Sequence, residues 1–311
     1  MKIQKEHVDW QRFLCGIPAR DYVFQDEPYE VQIQRAKDMI KNADAVIIGA
    51  GAGASTAAGI CYSGKRFTDN FAEFIDKYGK QYMTDMYAAG FYPFPTEEAK
   101  WGYWSKHALM NRFIPPALPL YLELLYIVKG KEYFVLTTNV DYQFWKAGFD
   151  SDRIFATQGD YGKIQCERGC HQKTYDAEKL FLKMDKARKD CLIPTELVPK
   201  CPVCGGRMAM HLRCDNDFVE DEDWHKAADR YADFLASIDK KKVVLLELGV
   251  GFNTPIIIRF PFEKLVREHT NYCLIRLNMN EAVVPESVGN RAIGIGGDMA
   301  KAISDIKELM E

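Results

Sequence analysis

Residues 45–59 read Ala-Val-Ile-Ile-Gly-Ala-Gly-Ala-Gly-Ala-Ser-Thr-Ala-Ala-Gly, and this stretch decides the fold class. An apolar run that stops in glycines is typical of a buried strand in a parallel sheet. The small residues after it let the backbone approach a pyrophosphate group closely. Ala54 stands where a G-x-G-x-x-G loop has its third glycine, and no acidic residue stands clearly ~20 residues further on. For this loop alone, a tight turn without a ligand stays an alternative.

Five further apolar runs have the length of strands, at 133–138, 153–156, 243–249, 272–278 and 292–296. Helical patterns lie between several of them, and amphipathic examples are 28–41 and 224–238. Strands that alternate with helices predict an α/β fold with a Rossmann-like, doubly wound parallel sheet. Ligands of such sheets bind in the crevice at the carboxyl ends of the strands.

Two long stretches interrupt the alternation. Residues 61–125 are aromatic and helical in pattern, and residues 161–210 carry paired cysteines with little apolar periodicity. Because excursions of this length usually form a lid or an added subdomain, both are predicted to build a smaller helical and zinc-binding module. The Rossmann-like domain then consists of 42–60, 126–160 and 211–311, after an N-terminal helical extension over 1–41.

Composition excludes several classes of protein. The 311 residues include 41 Lys+Arg and 44 Asp+Glu, which gives a net charge of −3. A nucleic-acid or anionic-membrane partner would leave a strongly basic footprint, so neither is expected. No apolar run approaches the ~20 residues that span a bilayer, and the charged N-terminus lacks the apolar core of a signal peptide. We therefore predict a cytoplasmic protein.

The cysteines predict a metal site. Their count is nine, and an odd count argues against a disulfide framework. Cys166 and Cys170 form one short-spaced pair, and Cys201 and Cys204 form another, which is the pattern of a tetrahedral, structural zinc site. The glycines at 205–206 let backbone N–H groups face the sulfurs. Four free thiols are the alternative. The remaining cysteines are interpreted as packing residues: Cys15, Cys61, Cys191, Cys214 and Cys273.

Polar residues follow the predicted strands at their carboxyl ends. Asn139 and Asp141 come directly after the second strand, and asparagine can bind a carboxamide or a ribose hydroxyl through both a donor and an acceptor. Gln158 follows the third strand, and Arg213 follows the cysteine pairs. Each alone is more often a cap or turn residue. Comparable positions after later strands are held by Gly249, Gly251, Asn278 and Asn280.

In combination, these strings resemble the sirtuins, a family of NAD-consuming deacylases and ADP-ribosyltransferases. The matching strings keep the family order: GAGASTAAGI (51–60), TTNVD (137–141), LRCD (212–215), LNMNE (277–281) and GGDMAKAI (296–303). The cysteine pairs fall where the family keeps its zinc. The resemblance implies the sirtuin fold, with NAD as co-substrate and a structural zinc ion.

Departures from the family pattern bear on the activity. The histidine that serves the family as general base in deacylation is here Gln158, which has no titratable group near neutrality. Thr138 replaces the usual glutamine, and residues 61–67 differ from the family's Pro-Asp-Phe-Arg stretch. This pattern is most similar to the macrodomain-linked, class M branch, whose members transfer ADP-ribose to protein. The implied activity is that of an NAD-dependent protein ADP-ribosyltransferase.

The resemblance also implies site residues. Asn139 would orient the reacting ribose, Gln158 would hydrogen-bond a ribose hydroxyl and Arg213 would place positive charge beside the acceptor, so these three are the expected catalytic residues. The expected NAD-binding residues are Ala52, Gly53, Ser55, Thr56, Tyr62, Arg66, Phe67, Asn139, Asp141, Gly249, Gly251, Asn278, Asn280 and Met299.

The implied partners are a lipoylated, glycine-cleavage-H-like carrier as acceptor and a macrodomain protein that reverses the modification. Two other functions stay open from the sequence. One is an NAD-dependent deacylase that recruits His107 or His211 as its base. The other is a catalytically silent NAD sensor that binds partners through the aromatic insertion.

Overall fold

The computed structural model describes residues 21–252 and 255–311. The strands are β1 (Tyr22–Val23), β2 (Ala45–Ala50), β3 (Glu132–Thr137), β4 (Ile154–Ala156), β5 (Gly159–Cys166), β6 (Thr174–Asp176), β7 (Met208–Leu212), β8 (Val243–Leu248), β9 (Tyr272–Asn278), β10 (Val284–Pro285) and β11 (Ala292–Gly296). The α-helices are α1 (Tyr29–Asn42), α2 (Ala52–Ala57), α3 (Lys65–Tyr78), α4 (Met86–Gly90), α5 (Glu97–Ala108), α6 (Pro119–Ile127), α7 (Gln143–Lys146), α8 (Glu178–Ala187), α9 (Glu222–Ile238), α10 (Arg259–Glu268) and α11 (Met299–Glu308).

The main sheet has six strands, all parallel, in the order β11-β9-β8-β2-β3-β4. The central strand β2 pairs Ala50 with Thr137 of β3 and with Leu248 of β8. The loops that follow these three strands therefore lie side by side. All six predicted runs form strands of this sheet, so the predicted fold class is confirmed.

Apolar side chains cover both faces of the sheet. Along β2, Val46 and Ile48 face the core under α1, α6 and α11, whereas Ala45 and Ile47 face the core under α9 and α10. This alternation follows from the two-residue period of a strand. Both isoleucines are completely buried, and burying such a side chain contributes about 1.5–3 kcal/mol.

The position of helix α6 differs from the predicted end of the insertion. It was expected to belong to the insertion over 61–125, but its buried side chains Leu120, Tyr121 and Leu124 pack in the core of the main sheet. The reason is its strongly apolar composition, which needs a large buried surface on which to pack. The helices of the insertion that remain outside this core are α3, α4 and α5.

A smaller antiparallel sheet, in the order β6-β5-β7, lies beyond the main one. Trp101 and Trp104 of α5 pack with Phe181 and Met184 of α8 against this sheet. The aromatic side chains of α3 form a neighbouring cluster around Tyr103. Strands β5 and β7 extend slightly past the predicted limits of the cysteine module, 161–210, because they pair with each other from Gly159 to Leu212.

The beginning of the described chain is tied to one edge of the main sheet. Residues 1–20 of the predicted N-terminal extension lie outside the described residues, and so does Cys15. Strand β1 pairs with β10, and the side-chain amide of Gln25 binds the edge strand β11. Its Oε1 accepts the N–H of Gly294 at 3.0 Å, and its Nε2 donates to the carbonyl of Ala292 at 2.8 Å. In the part of the chain that is described, no helix combines the length and apolarity that crossing a bilayer requires.

Candidate functional site

A cavity of about 570 Å³ opens at the carboxyl ends of β2 and β3, between the main sheet and the smaller module. Asn139, Gln158 and Arg213, the three expected catalytic residues, all line it. The expected NAD-binding residues that also line it are Ala52, Ser55, Thr56, Tyr62 and Asp141. The structure therefore brings together side chains that lie up to 161 positions apart in the chain, from Ala52 to Arg213.

The glycine loop after β2 touches the loop after β8 backbone to backbone. The N–H of Gly53 donates to the carbonyl of Gly249 at 3.1 Å. A Cβ atom on Gly53 would lie 2.6 Å from Cα of Gly249, which has φ +61°. Glycine is thus required at both positions by their mutual contact. Neither is among the residues that line the cavity, and their contact joins the glycine loop to the loop after β8.

Asp141 lies at the bottom of the cavity and is 2% exposed. The hydroxyl of Ser55 donates to its Oδ2, and the N–H of Gln143 donates to its Oδ1 at 3.1 Å. Burial raises the pKa of the Asp141 carboxyl, and these two donors oppose that rise. The carboxyl is therefore held in one orientation where it can accept a hydrogen bond from an amide group.

Asn139 is 8% exposed and is fixed at both its backbone and its side chain. Its N–H donates to the hydroxyl of Thr137 at 3.0 Å, and its Nδ2 donates to the carbonyl of Gly51 at 2.9 Å. One N–H of Nδ2 binds the glycine loop, which leaves the amide oxygen and the second N–H of Asn139 for other partners.

The pairing of β5 with β7 brings Gln158 next to Arg213. The N–H of Arg213 donates to the carbonyl of Gln158 at 3.1 Å. Gly159 has φ +102°, and a Cβ there would lie 2.0 Å from the carbonyl oxygen of His211. The strands can approach this closely only with glycine at 159, which explains why Gln158 is followed by glycine.

The guanidinium of Arg213 already has neighbouring partners, which the sequence did not indicate. Its Nη2 contacts Glu220 at 2.5 Å, its Nε donates to the carbonyl of Thr157 at 3.3 Å, and its guanidinium lies 4.2 Å from the ring centre of Phe218. The predicted positive charge beside the acceptor is therefore balanced by Glu220. An acidic ligand at Arg213 must compete with that carboxylate.

Among the described residues, no histidine lines this cavity. His107 is completely buried, with the ring centres of Tyr161 and Trp104 at 4.7 and 5.1 Å. Burial lowers the pKa of His107 to about 3. His211 is hydrogen-bonded through Nε2 to the carbonyl of Val219 at 3.0 Å, and burial lowers its pKa too. Neither histidine offered as an alternative base is therefore available at the cavity.

The four paired cysteines form a compact cluster in the smaller module. Their sulfurs all lie within 4.8 Å of one another, with Cys166 and Cys204 separated by 3.8 Å and Cys170 and Cys201 by 3.6 Å. Four sulfurs placed ~2.3 Å from a tetrahedral zinc ion lie ~3.8 Å apart, so the geometry fits zinc. Hydrogen bonds from the N–H of Gly206, and next from Arg168, lower the pKa of the Cys204 thiol to about 6, and the contribution of Gly206 agrees with the predicted role of the glycines after this pair.

Comparisons with known proteins agree with this geometry. No protein-family model matches the chain. The chain is 35% identical over 274 residues to "Protein ADP-ribosyltransferase" of Staphylococcus aureus (strain Mu50 / ATCC 700699), which covers 88% of this chain and 86% of that protein. The fold matches sirtuin structures, for example a Sir2 homologue variant in complex with ADP-ribose, with a TM-score of 0.54 at 14% identity over 89% of this chain and 97% of that chain. The chain belongs to the sirtuin-type protein ADP-ribosyltransferases.

Two more proteins are similar to this transferase. It is 31% identical over 283 residues to the "Probable bifunctional ADP-ribose hydrolase/ADP-ribosyltransferase" of Fusarium oxysporum f. sp. cubense, which covers 86% of this chain and 46% of that protein. A Sir2 complex with a peptide and NAD⁺ matches with a TM-score of 0.52 at 19% identity, over 89% of this chain and 97% of that chain.

Several expected NAD-binding residues of this transferase lie away from the cavity. Arg66 binds Asn111 at 2.8 Å and the carbonyl of Met110 at 2.9 Å. Phe67 is 1% exposed and packs in the aromatic cluster of α3, and Met299 is 4% exposed and packs in the core of the main sheet. Arg66 and Phe67 belong to the stretch 61–67 that departs from the family pattern, and both side chains contact other residues of the insertion.

The side chain of Asn278 forms hydrogen bonds that fix the loop after β9. The side-chain oxygen of Asn278 accepts the N–H of Asn280 at 3.2 Å, and its Nδ2 donates to the carbonyl of Val250 at 3.2 Å. Gly251 follows in the loop after β8. Asn278, Asn280 and Gly251 are therefore neighbours at the carboxyl ends of two adjacent strands, although they do not line the main cavity.

Ten further residues that the sequence did not mark as site residues line the cavity: Ile60, Cys61, Ser63, Asp85, Tyr87, Thr138, Val140, Tyr161, Leu212 and Ile257. Tyr161 is completely buried on β5, and burial raises the pKa of its phenol well above the ordinary value. Its position two residues after Gly159 is the feature of the sequence from which Tyr161 could have been identified as a site residue. Cys61 was interpreted as a packing residue, and so was Cys214, which is instead exposed.

Proposed function

We propose that the protein transfers ADP-ribose from NAD⁺ to a carboxylate side chain of an acceptor protein and releases nicotinamide. The observation that carries this proposal is that Gln158, which by sequence resemblance stands in place of the histidine of deacylating sirtuins, lines the cavity, while no described histidine lines it. A residue without a titratable group near neutrality cannot deprotonate a ribose hydroxyl. A transfer that needs no base is therefore the chemistry that fits.

The bound co-substrate would lie along the strand ends. Asp141, fixed by Ser55, would accept a hydrogen bond from the nicotinamide carboxamide. Asn139 would orient the reacting ribose with its amide oxygen, and Gln158 would hydrogen-bond a ribose hydroxyl. The pyrophosphate would lie against Ala52 and Thr56. The adenosine would lie beside the loops after β8 and β9, which hold Gly251, Asn278 and Asn280.

The proposed reaction requires no proton transfer. The bond between the ribose C1′ and the nicotinamide nitrogen breaks through an oxocarbenium-like state, and the electron pair leaves with neutral nicotinamide. An acceptor carboxylate oxygen then forms a bond to C1′, which yields an ester. Before it can reach Arg213, this carboxylate must displace Glu220 from the guanidinium.

The acceptor should therefore be an aspartate or glutamate. Lysine, with a pKa of about 10.4, arrives as an ammonium ion and needs a base, whereas a carboxyl with a pKa of about 4 arrives ionised. We expect NAD⁺ labelled in its adenylate phosphate to mark a protein band in host lysate, and neutral hydroxylamine to remove most of the label. Label that resists hydroxylamine and maps to lysine would contradict the proposal. An acyl-ADP-ribose product with free lysine would indicate a deacylase.

Restoring a histidine should not convert the enzyme. We expect Gln158→His to deacetylate an acetyl-lysine peptide at no more than ~1% of the rate of a sirtuin deacetylase assayed in parallel, because a catalytic base also needs a second group to orient it. Gln158→Asn serves as the matched control, since it shortens the side chain without adding a base. Robust deacetylation by the histidine variant would show that this one residue decides the reaction.

The identities of the acceptor protein and of the protein that reverses the modification are also proposed. The lipoylated, glycine-cleavage-H-like carrier rests on the resemblance to the macrodomain-linked branch. A macrodomain protein that removes the modification is supported by the Fusarium relative, whose name combines an ADP-ribose hydrolase with a transferase. A cytoplasmic location is supported by the thiolate cluster, because reducing compartments keep such cysteines available for metal.

A further inference from the structure

Four charged side chains are completely buried beneath the carboxyl ends of β8 and β9. Glu247 and Arg276 belong to these strands, and Arg259 and Glu263 belong to α10. Arg276 donates to both oxygens of Glu247, at 2.7 and 2.8 Å, and to Glu263 at 2.9 Å. A single arginine thus binds both carboxylates of the cluster.

The second arginine, Arg259, directs its hydrogen bonds to the backbone of two loops. Nη1 donates to the carbonyl of Val250 after β8 at 3.0 Å, and Nη2 donates to the carbonyl of Glu281 after β9 at 3.1 Å. Its distances to Glu247 and Glu263 are longer, 3.9 and 3.7 Å. Nε of Arg259 has no hydrogen-bond partner among the described residues, so the two carbonyls carry the hydrogen bonds that offset the cost of burying this arginine.

Further contacts join the two loops around the same guanidinium. The Nδ2 of Asn278 donates to the carbonyl of Val250, the acceptor that Arg259 also uses. The carboxylate of Glu281 accepts the N–H of Phe252 at 2.9 Å. The ring centre of Phe252 lies 3.7 Å from the Arg259 guanidinium, a distance at which cation–π attraction is significant.

The loop after β8 also contacts the glycine loop through its backbone. Gly249 directly precedes Val250 and accepts the N–H of Gly53. Arg259 itself is 0% exposed and is not among the residues lining the cavity. Arg259 therefore does not touch a ligand in the cavity and acts on it indirectly, through the segments that it holds.

We propose that Arg259 is a positioning residue that holds the loops after β8 and β9 in the arrangement that binds the nucleotide end of NAD. The inference rests on the proposed function, because it takes NAD as the co-substrate. Without the guanidinium, the carbonyls of Val250 and Glu281 lose their shared donor and the two loops separate. Affinity for NAD then falls, whereas the groups around Asn139 keep their geometry.

The test compares NAD binding and turnover in matched variants. In Arg259→Met we expect the dissociation constant for NAD, measured by calorimetry, and the KM for NAD to rise about tenfold, with kcat within about twofold of wild type. Arg259→Lys keeps the charge and should show an intermediate loss. Lys264→Met, on the same helix with a side chain 65% exposed, should bind NAD as wild type does.

Arg259→Lys covers the case in which Arg259→Met does not fold, because it keeps a cation but lacks the planar fork that reaches both carbonyls. Wild-type NAD affinity in folded Arg259→Met, or in folded Arg259→Lys if the former is unfolded, would overturn the inference. A wild-type protein that binds NAD but modifies no protein would contradict the proposed function instead, and the same calorimetry would still decide the role of Arg259.

Discussion

Replacing Asn139 by alanine should lower the rate of ADP-ribose transfer at least ~100-fold, a loss of about 2.7 kcal/mol of transition-state stabilisation. The side chain connects the glycine loop to the cavity through its bond to the carbonyl of Gly51, and its amide oxygen is the group proposed to orient the ribose. Loss of orientation at a reacting centre is costly for the rate. The transfer rate is measured as the nicotinamide released in the presence of acceptor protein, and chromatography quantifies that release.

The fold of Asn139→Ala should survive, because one hydrogen bond contributes only about 1 kcal/mol. Asn271→Ala is the matched control. Asn271 precedes β9 at the opposite end of the sheet and also donates to a backbone carbonyl, that of Asp239 at 3.1 Å. The Asn271→Ala variant should lose about as much stability as Asn139→Ala and should keep its transfer activity. An Asn139→Ala protein that transfers ADP-ribose at the wild-type rate would refute the proposed role.

Replacing Cys201 and Cys204 together by serine should abolish zinc binding and unfold the smaller module. Structural zinc in small domains contributes about 10–16 kcal/mol of apparent binding free energy, and this energy is available only to the folded state. The apolar cluster that contains Cys201 packs directly around the site, so it should be lost with the metal. Metal analysis and circular dichroism measure the two effects.

Cys214→Ser with Cys273→Ser removes the same number of thiols away from the cluster and should retain both zinc and fold. If the Cys201 and Cys204 double variant stays folded and active, the cluster is not a structural metal site. Transfer activity should fall together with the zinc content, because β5 and β7 of this module hold Gln158 next to Arg213.

Features carried by local sequence pattern were predictable. The six strands of the main sheet are apolar runs with clear ends, and the cysteine pairs have metal-ligand spacing, so both predictions are confirmed. The residues directly after β3 and β4 line the cavity because parallel strands end at one edge of the sheet. Asn139 and Gln158 could therefore be placed there from the sequence.

Features that depend on contacts between distant segments were not predictable. Nothing near Gly53 indicates that Gly249 will touch it, and nothing near Arg213 indicates that its charge will be balanced by Glu220. Helix α6 carries the same apolar composition whether it packs on the sheet or within the insertion. The buried charges of β8 and β9 did leave a signal, since Glu247 and Arg276 each stand inside an otherwise apolar run.

The Gln25 side chain that binds the edge strand β11 also bears on solubility. An open edge of a sheet is a template on which a strand from another molecule can add, which leads to aggregation. The amide of Gln25 uses the N–H of Gly294 and the carbonyl of Ala292, which are the groups that an incoming strand would need. The segment before α1 therefore protects the enzyme against edge-to-edge association with its own copies.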